Sequence, residues 1–330
     1  MGAGLPGQVR GAVRVPALDV LAVGAAATIQ DHGRRGYAAW GVGRAGAADL
    51  ASHDLANRLV GNQPGAASIE ALLGGLVLRA RSPLVVAVTG ADVSVGVEGR
   101  AHPTNTLLRL PAGAVLRLGQ PRSGLRSYVA VRGGFDADVV LGSRSTDTLS
   151  GLGPAPLAPG QVVAVGGEAA APSLIDHVPQ RGTPPPAPLT LRCLWGPRAD
   201  WFTPAARHTL LGVPWQVSGH ADRVGVRLDG PQLERAVHRE LPSEGAVLGS
   251  IQVTGSGPIV FLPDHPVTGG YPVIGVVTRG GGNPLAQAGP GREGRVAPPP
   301  VPGAPRFSRG GTIRGAPRCG AAPPPPPAGP

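Results

Sequence analysis

Leu84-Val85-Val86-Ala87-Val88, Val93-Ser94-Val95-Gly96-Val97, Thr106-Leu107-Leu108-Arg109-Leu110 and Ala114-Val115-Leu116-Arg117-Leu118 are short apolar runs separated by Gly, Pro or Asn. Strands at this spacing, with no helical stretch between them, predict an antiparallel barrel or sandwich and not alternating βαβ units. Upstream, Ile69–Leu73 and Leu76–Leu78 flank Gly74-Gly75 and read as a hairpin. Downstream, Tyr128–Val131 runs into Gly133-Gly134. A first strand is expected at Ala17–Val23. The best helical segment is 47–60, where Ala51, Leu55 and Leu59 recur at i+4 beside Leu50 and Gly61 closes the end.

Residues 166–188 are rich in Pro and Ala and read as a linker between two halves. Strands resume at Leu189–Leu194, Ile259–Leu262 and Val273–Val277, the last expected to close a second barrel. The resulting division is a disordered 1–16, a first half at 17–165, the linker, a second half at 189–278, and a tail at 279–330. After Thr278 the composition turns to Pro, Gly and Arg, which buries too little apolar area to order itself. The tail is therefore expected to be disordered.

Composition excludes several chemistries. All 30 basic residues are arginine, so the chain has no P-loop lysine, no lysine Schiff base and no biotinyl-lysine or lipoyl-lysine. The net charge of +10 is misleading as a nucleic-acid signal. Seven arginines against Glu293 place +6 of it beyond residue 278, and the remainder lacks a basic stripe interleaved with aromatics. The two cysteines, Cys193 and Cys319, do not suggest a disulfide framework. The eight histidines show no His-x-x-x-His spacing, so no metal site is expected. Arg10, Arg14 and Val15–Ile29 imitate a signal peptide, but Pro16 and Asp19 interrupt the apolar run, and a cytoplasmic protein is expected. No membrane span is expected.

Polar chemistry concentrates in a few glycine-bearing stretches. Residues 28–49 hold Gln30, Asp31, His32, Gly33, Arg34, Arg44 and Asp49 between a hydrophobic run and the helix. Gly41-x-Gly43-x-x-Gly46, with Glu70 downstream, matches a dinucleotide fingerprint, but no apolar strand leads into it, so a nucleotide fold is set aside. Gly142-Ser143-Arg144-Ser145-Thr146-Asp147 can present hydroxyls, backbone N–H groups and a guanidinium to a carboxylate or phosphate, or can equally be a loop stabilised by its own hydroxyl turns. Arg34, Arg144 and Arg223 are candidates to stabilise a developing oxyanion from one shared cleft. Asp31, Asp49 and Asp222 are candidates to orient them or to act as base, and Glu70 could face the same hollow. The competing reading makes Asp31–Arg34 and Asp222–Arg223 structural ion pairs that brace the halves.

Thr28-x-Gln30-Asp31-x-Gly33-Arg34-x-Gly36, Ala56-Asn57-x-Leu59-Val60-Gly61-Asn62, Gly142–Asp147, Asp222-Arg223-x-Gly225, Ile251-Gln252-Val253 and Thr268-Gly269-Gly270-Tyr271-Pro272 together resemble the biotin-dependent carboxyltransferase family, also known as the allophanate hydrolase subunit 2 family. The resemblance covers about Leu18 to Val277. It implies a mainly β (α+β) fold of two cyclophilin-like barrel halves in tandem. It also implies the C-type component of a 5-oxoprolinase-type complex, an ATP-dependent amidohydrolase, with A-type and B-type 5-oxoprolinase components as partners. ATP would then be handled through the complex, and biotin only if another chain carries it. The alternatives are a carboxyltransferase component acting on urea or a related acceptor, and a non-catalytic protein that binds and regulates its partner. Candidate catalytic residues are Asp31, Arg34, Arg144, Asp222 and Arg223. Candidate substrate-binding residues are Gln30, Asp49, Asn57, Glu70, Ser143, Ser145, Asp147, Gln252, Thr268, Gly269, Gly270 and Tyr271.

Overall fold

The computed structural model describes residues 15–167, 175–179 and 188–299. The first half comprises β1 (Ala17–Val23), β2 (Ala26–Gln30), helix α1 (Leu50–Val60), β3 (Ser68–Leu72), β4 (Leu76–Ala80), β5 (Leu84–Val97), β6 (Arg100–His102), β7 (Thr106–Leu110), β8 (Val115–Val131), β9 (Phe135–Asp136) and β10 (Val162–Val165). The second holds β11 (Leu189–Trp195), α2 (Pro204–Gly212), β12 (Pro214–Ala221), β13 (Gly225–Asp229), β14 (Glu244–Gly245), β15 (Ser250–Thr254), β16 (Gly257–Phe261), β17 (Thr268–Gly269), β18 (Val273–Val277), α3 (Arg279–Ala286) and β19 (Glu293–Ala297). The expected mainly β, two-barrel architecture is what forms.

In the first half, the order β2-β3-β8-β4-β1-β10-β9 carries β5 alongside β8, with β6 and β7 on β5. Alternation drives it: Leu76, Leu78 and Ala80 of β4 turn inward while their neighbours face out. They meet Leu18, Ile69, Val86, Leu116 and Val131 in one core. Two expected boundaries do not exist. Leu84–Val97 is one strand, bent at Gly90 and Asp92, where its register against β8 shifts. Val115–Val131 is likewise continuous.

The expected β3–β4 hairpin is absent as well, because β8 lies between the two strands. The turn is stitched to β8, with Leu73 N–H bonding Leu125 O at 2.8 Å and Gly75 N–H bonding Leu118 O at 2.9 Å. A turn signal marks where a chain reverses, and the partner is chosen by the rest of the sheet.

Helix α1 packs on the outside of this sheet, its Ala56, Leu59 and Val60 against Ala87, Tyr128 and Ala130. Asp49 caps its start and Gly61, with φ 82°, its end. The buried face is His53, Ala56, Asn57, Leu59 and Val60, rotated from the Ala51–Leu55–Leu59 stripe. Ala51 is exposed on the cavity side, and Leu55 is only half-buried at the margin of the cluster formed with Ala87, Tyr128 and Ala130.

The second half is a closed barrel, β11-β18-β15-β16-β13-β12-β19, around Leu191, Trp215, Leu228, Ile251, Ile274 and Val296. Here the expected boundary at 278 fails. Strand β19 runs parallel to β11 and antiparallel to β12 and closes the barrel. Its Val296 is fully buried, worth about 2 kcal/mol. Three glycines and Pro284 make α3 a poor helix by propensity. It is held by burial of Leu285 and Ala286 and by bonds to the first half. Composition missed both elements because barrel edges recruit a strand through backbone hydrogen bonds, which any residue but proline supplies. Residues 300–330 lie outside the described residues, as do 1–14 and most of 168–187.

Candidate functional site

Between α1 and the second barrel lies a cavity of about 360 Å³. Its floor is apolar, with Ala47, Leu50, Val260 and Leu262, and its rim carries His32, Arg44, Asp54, Arg58 and Asn283. The loop after β2 builds one wall by folding on itself. Arg34 N–H bonds Arg44 O at 2.7 Å, Ala47 N–H bonds Asp31 O at 2.9 Å, and Ala45 N–H crosses to Pro263 O at 3.1 Å. Only glycine fits at 33: its φ is 77°, and a Cβ there would stand 2.5 Å from the carbonyl oxygens of Arg44 and Ala45.

Beneath this wall the halves are clasped by charge. Arg223 donates to both Asp264 oxygens (2.9 and 3.0 Å), to Gly46 O (2.6 Å) and to Glu70 Oε1. Glu70 also accepts from Ala48 N (3.0 Å) and Tyr128 Oη (2.8 Å), with Arg126 Nε 3.4 Å away. Asp264 accepts from the Thr148 N–H and hydroxyl at 2.9 and 2.7 Å. Two carboxylates and two guanidiniums, all nearly inaccessible, thus form a neutral network. Burial raises the Glu70 carboxyl, but Arg223 and Arg126 outweigh it and hold it below its usual range. Burial beside Glu70 pushes the Tyr128 phenol well up, so it stays a donor.

Asp31 anchors a second network. Its Oδ1 accepts from Gly33 N (2.7 Å) and from the hydroxyls of Ser143 and Ser145 (2.6 Å each), and its Oδ2 from Arg144 N (2.6 Å). Burial works to raise this carboxyl too, and those four donors hold it low. Asp31 therefore ties loop 141–147 to the end of β2.

Neither expected ion pair forms. Arg34 gives its donors to the carbonyls of Val140 (3.2 Å) and Ser145, and not to Asp31. Asp222 is exposed and accepts from Val224 N and Gly225 N, capping a turn, while Arg223 turns to Asp264 and Glu70. The three arginines share no hollow: Arg34 is buried behind loop 140–145, Arg223 in the clasp, and Arg144 on an outer flank, 3.5 Å from Asp136. The reason is separation in depth: Arg34 is spent on backbone carbonyls, Arg223 on the buried Glu70 and Asp264 carboxylates and Gly46 O, and Arg144 faces Asp136.

The remaining candidates are also placed as braces. Gln30 bonds Thr28 Oγ1 and Thr146 O, each at 3.0 Å. Asn57 reaches Ala66 O at 2.8 Å and holds Asn62. Asp49 caps α1 and accepts from Gln287 at 2.9 Å. Asp147 accepts from Leu149 N and Ser150 N. Gln252 donates to Tyr271 O at 3.1 Å, and a Cβ on Gly269 would lie 2.4 Å from Gln252 Nε2. Thr268 and Gly269 pair with β14, Gly270 lies near the Leu241 carbonyl, and Tyr271 borders a groove outside the second barrel. None of the candidate residues lines the inter-barrel cavity.

Among the polar residues that do line it are His32 and Arg44, noted in the sequence only as members of the polar 28–49 stretch, and Asp54, Arg58 and Asn283, which no motif marked. A usable signal existed, namely polar His53-Asp54 on a helix whose Leu stripe seemed to settle its inner face. Asp264 was missed too, lying outside every segment singled out for charge.

The cavity also bears on ATP. The backbone donors that would cradle phosphate at the start of α1 are already used, Ala48 N by Glu70 and Asp49 N by Tyr128 (2.7 Å). With no lysine in the chain either, these residues do not fit a phosphate-binding loop.

Comparison with known proteins places these features in a family. The sequence pattern "Carboxyltransferase domain, subdomain A and B" matches residues 40–298. The chain is 35% identical over 275 residues to the C subunit of 5-oxoprolinase from Escherichia coli, covering 82% of this chain and 87% of that protein. It is 32% identical over 289 residues to urea amidolyase of Saccharomyces cerevisiae, but spans only 15% of that protein. Among solved structures, TTHA0988 superposes with a TM-score of 0.77 at 37% identity, covering 87% of this chain and 56% of that one. Kluyveromyces lactis urea amidolyase superposes with a TM-score of 0.79 at 28% identity, covering 88% of this chain and 19% of that one.

Proposed function

The chain belongs to the carboxyltransferase domain, subdomain A and B, family, and on that premise we propose that it is the C-type component of a 5-oxoprolinase complex, acting with A-type and B-type partners in ATP-dependent opening of 5-oxoproline to glutamate. The observation that carries this reading is extent: the likeness spans 87% of a stand-alone 5-oxoprolinase C subunit, against 15% of a urea amidolyase.

The inter-barrel cavity suits such a substrate. 5-Oxoproline carries a carboxylate beside a compact lactam ring. Arg44 and Arg58 on the rim offer guanidinium forks to the carboxylate, and the apolar floor accepts the ring methylenes. The Asn283 amide at the rim would hydrogen-bond the lactam carbonyl as charge develops on it. ATP is assigned to a partner, because this chain has no lysine loop and its α1 donors are occupied. Any biotin would be carried on another chain for the same lack of lysine.

Co-expression with A-type and B-type 5-oxoprolinase components tests the reading. The purified complex is expected to hydrolyse ATP only when 5-oxoproline is present, and the isolated chain to be inert. Turnover by the chain alone would overturn it. Carboxylation of urea by a complex containing a biotin-bearing partner would favour the urea reading, which the superposition on urea amidolyase also supports.

A further inference from the structure

We propose that His32, His53 and Asp54 form a binding site for one divalent transition-metal ion of the zinc class, opening into the inter-barrel cavity. The three ligand atoms lie within 4.8 Å of one another. Asp54 Oδ1 is 2.7 Å from His32 Nε2 and 3.2 Å from His53 Nδ1. Around a tetrahedral ion with bonds of about 2.0–2.1 Å, neighbouring ligand atoms stand roughly 3.3 Å apart, so modest rotation admits the ion. Two imidazoles and one carboxylate make a three-ligand set that leaves a coordination position free.

Proton accounting on His53 supplies the second argument. This ring is fully buried. One edge, Nε2, faces the carbonyl oxygen of Gln30 at 3.2 Å, and the other, Nδ1, faces the Asp54 carboxylate. Both neighbours are acceptors, and a neutral imidazole has a single N–H. The Asn57 amide nitrogen does not resolve the mismatch. It stands 3.5 Å from Nε2, at the limit of a hydrogen bond, and its hydrogens are directed to Ala66 O at 2.8 Å and Pro64 O at 3.3 Å. With the Nε2 hydrogen on Gln30 O, the Nδ1 lone pair is left pointing at a carboxylate oxygen. Either a second ring proton or a metal cation between them satisfies both, and metal binding measured directly separates the two. A histidine whose far N–H is held by a backbone carbonyl is also how metal-ligating imidazoles are usually oriented.

Access completes the case. His32 and Asp54 retain 35% and 21% side-chain exposure, and both border the cavity, whereas His53 forms the inner ligand. Packing sets the His32 ring: it lies 5.7 Å from His53, and a Cβ on Gly65 would come 3.3 Å from its Nδ1. The free position of the ion therefore faces the same hollow as Arg44 and Arg58 and takes a carboxylate or carbonyl oxygen of a small ligand. The site stands independently of the proposed reaction, since metal binding is read without turnover.

The test uses the untagged full-length chain, stripped with chelator and titrated with Co²⁺, then with Zn²⁺ in competition. One equivalent of Co²⁺ is expected, with visible d–d absorption that Zn²⁺ abolishes. His32→Ala and Asp54→Asn, both at partly exposed positions and checked for native melting, should each weaken binding by more than the roughly 10–100-fold typical of a lost outer-shell partner. His220→Ala, at an exposed residue of β12, should change nothing. Absence of stoichiometric binding, or binding that survives both His32→Ala and Asp54→Asn, would overturn the assignment.

Discussion

Replacing Arg223 with methionine tests whether the inter-barrel clasp is a structural device. The guanidinium makes four hydrogen bonds, to Glu70, to both oxygens of Asp264 and to Gly46 O. In Arg223→Met, Glu70 keeps Arg126, Tyr128 and Ala48 N, but Asp264 keeps only Thr148. Asp264 is 1% exposed, so its charge is stranded. Removing one partner from a buried pair costs about 3–5 kcal/mol. At roughly 2–4 °C per kcal/mol for a domain of this size, the melting temperature should fall by about 6–20 °C. Differential scanning calorimetry reads this directly, with Asp222→Asn as the control that touches only an exposed turn. The double variant Arg223→Met with Asp264→Leu should recover much of the loss, because apolar replacement of a whole buried pair is often neutral. A loss below about 1 kcal/mol in Arg223→Met, or no recovery in the double variant, refutes the clasp.

Other outcomes follow from the same geometry. Asp31→Ala strands four donors and should cost on the order of 3 kcal/mol, with hydrogen exchange rising across 141–147. Glu70 and Asp31 have lowered carboxyl pKa values, so their contribution is full above the unfolded values of about 4 and lost as pH falls further; denaturant midpoints measured down the acid range should show it. Burial lowers the pKa of His265, which stacks on Phe261 at 5.5 Å, so its proton is taken up by the unfolded chain first and stability should decline as pH drops below about 6.5. The His265 ring signal in NMR should titrate below that value. Arg58→Ala should raise the KM of the reconstituted complex for 5-oxoproline by about 10–100-fold, the worth of a charge-assisted bond, without altering melting. A chain ending at 278 should show no cooperative thermal transition, because β11 and β12 both lose a neighbour.

Local pattern was enough to place several strands. Ala17–Val23, Thr106–Leu110 and Val273–Val277 are observed as read, because inward and outward alternation and turn residues are written in neighbouring positions. Pattern also placed a helix over 47–60 closed by Gly61, although the observed α1 begins only at Leu50, after the Asp49 cap, and the lack of lysine ruled out whole classes of chemistry. Pairing was another matter. That β8 separates β3 from β4, and that β19 closes the barrel from a glycine-rich segment, depends on edges created elsewhere in the chain.

The site shows the same division. Asp31, Arg34 and Arg223 stand out by type, but a charge alone does not say whether it faces a ligand or a backbone carbonyl. Arg223 finds Glu70 across 153 positions, and His32 meets Asp54 across 22. Burial turned the conspicuous residues into braces and left the less conspicuous His32, Arg44 and Asp54 around the cavity. Sequence carries the period and the chemistry of each residue, while desolvation, which decides what a charge must bind, is set only once the two barrels close on each other.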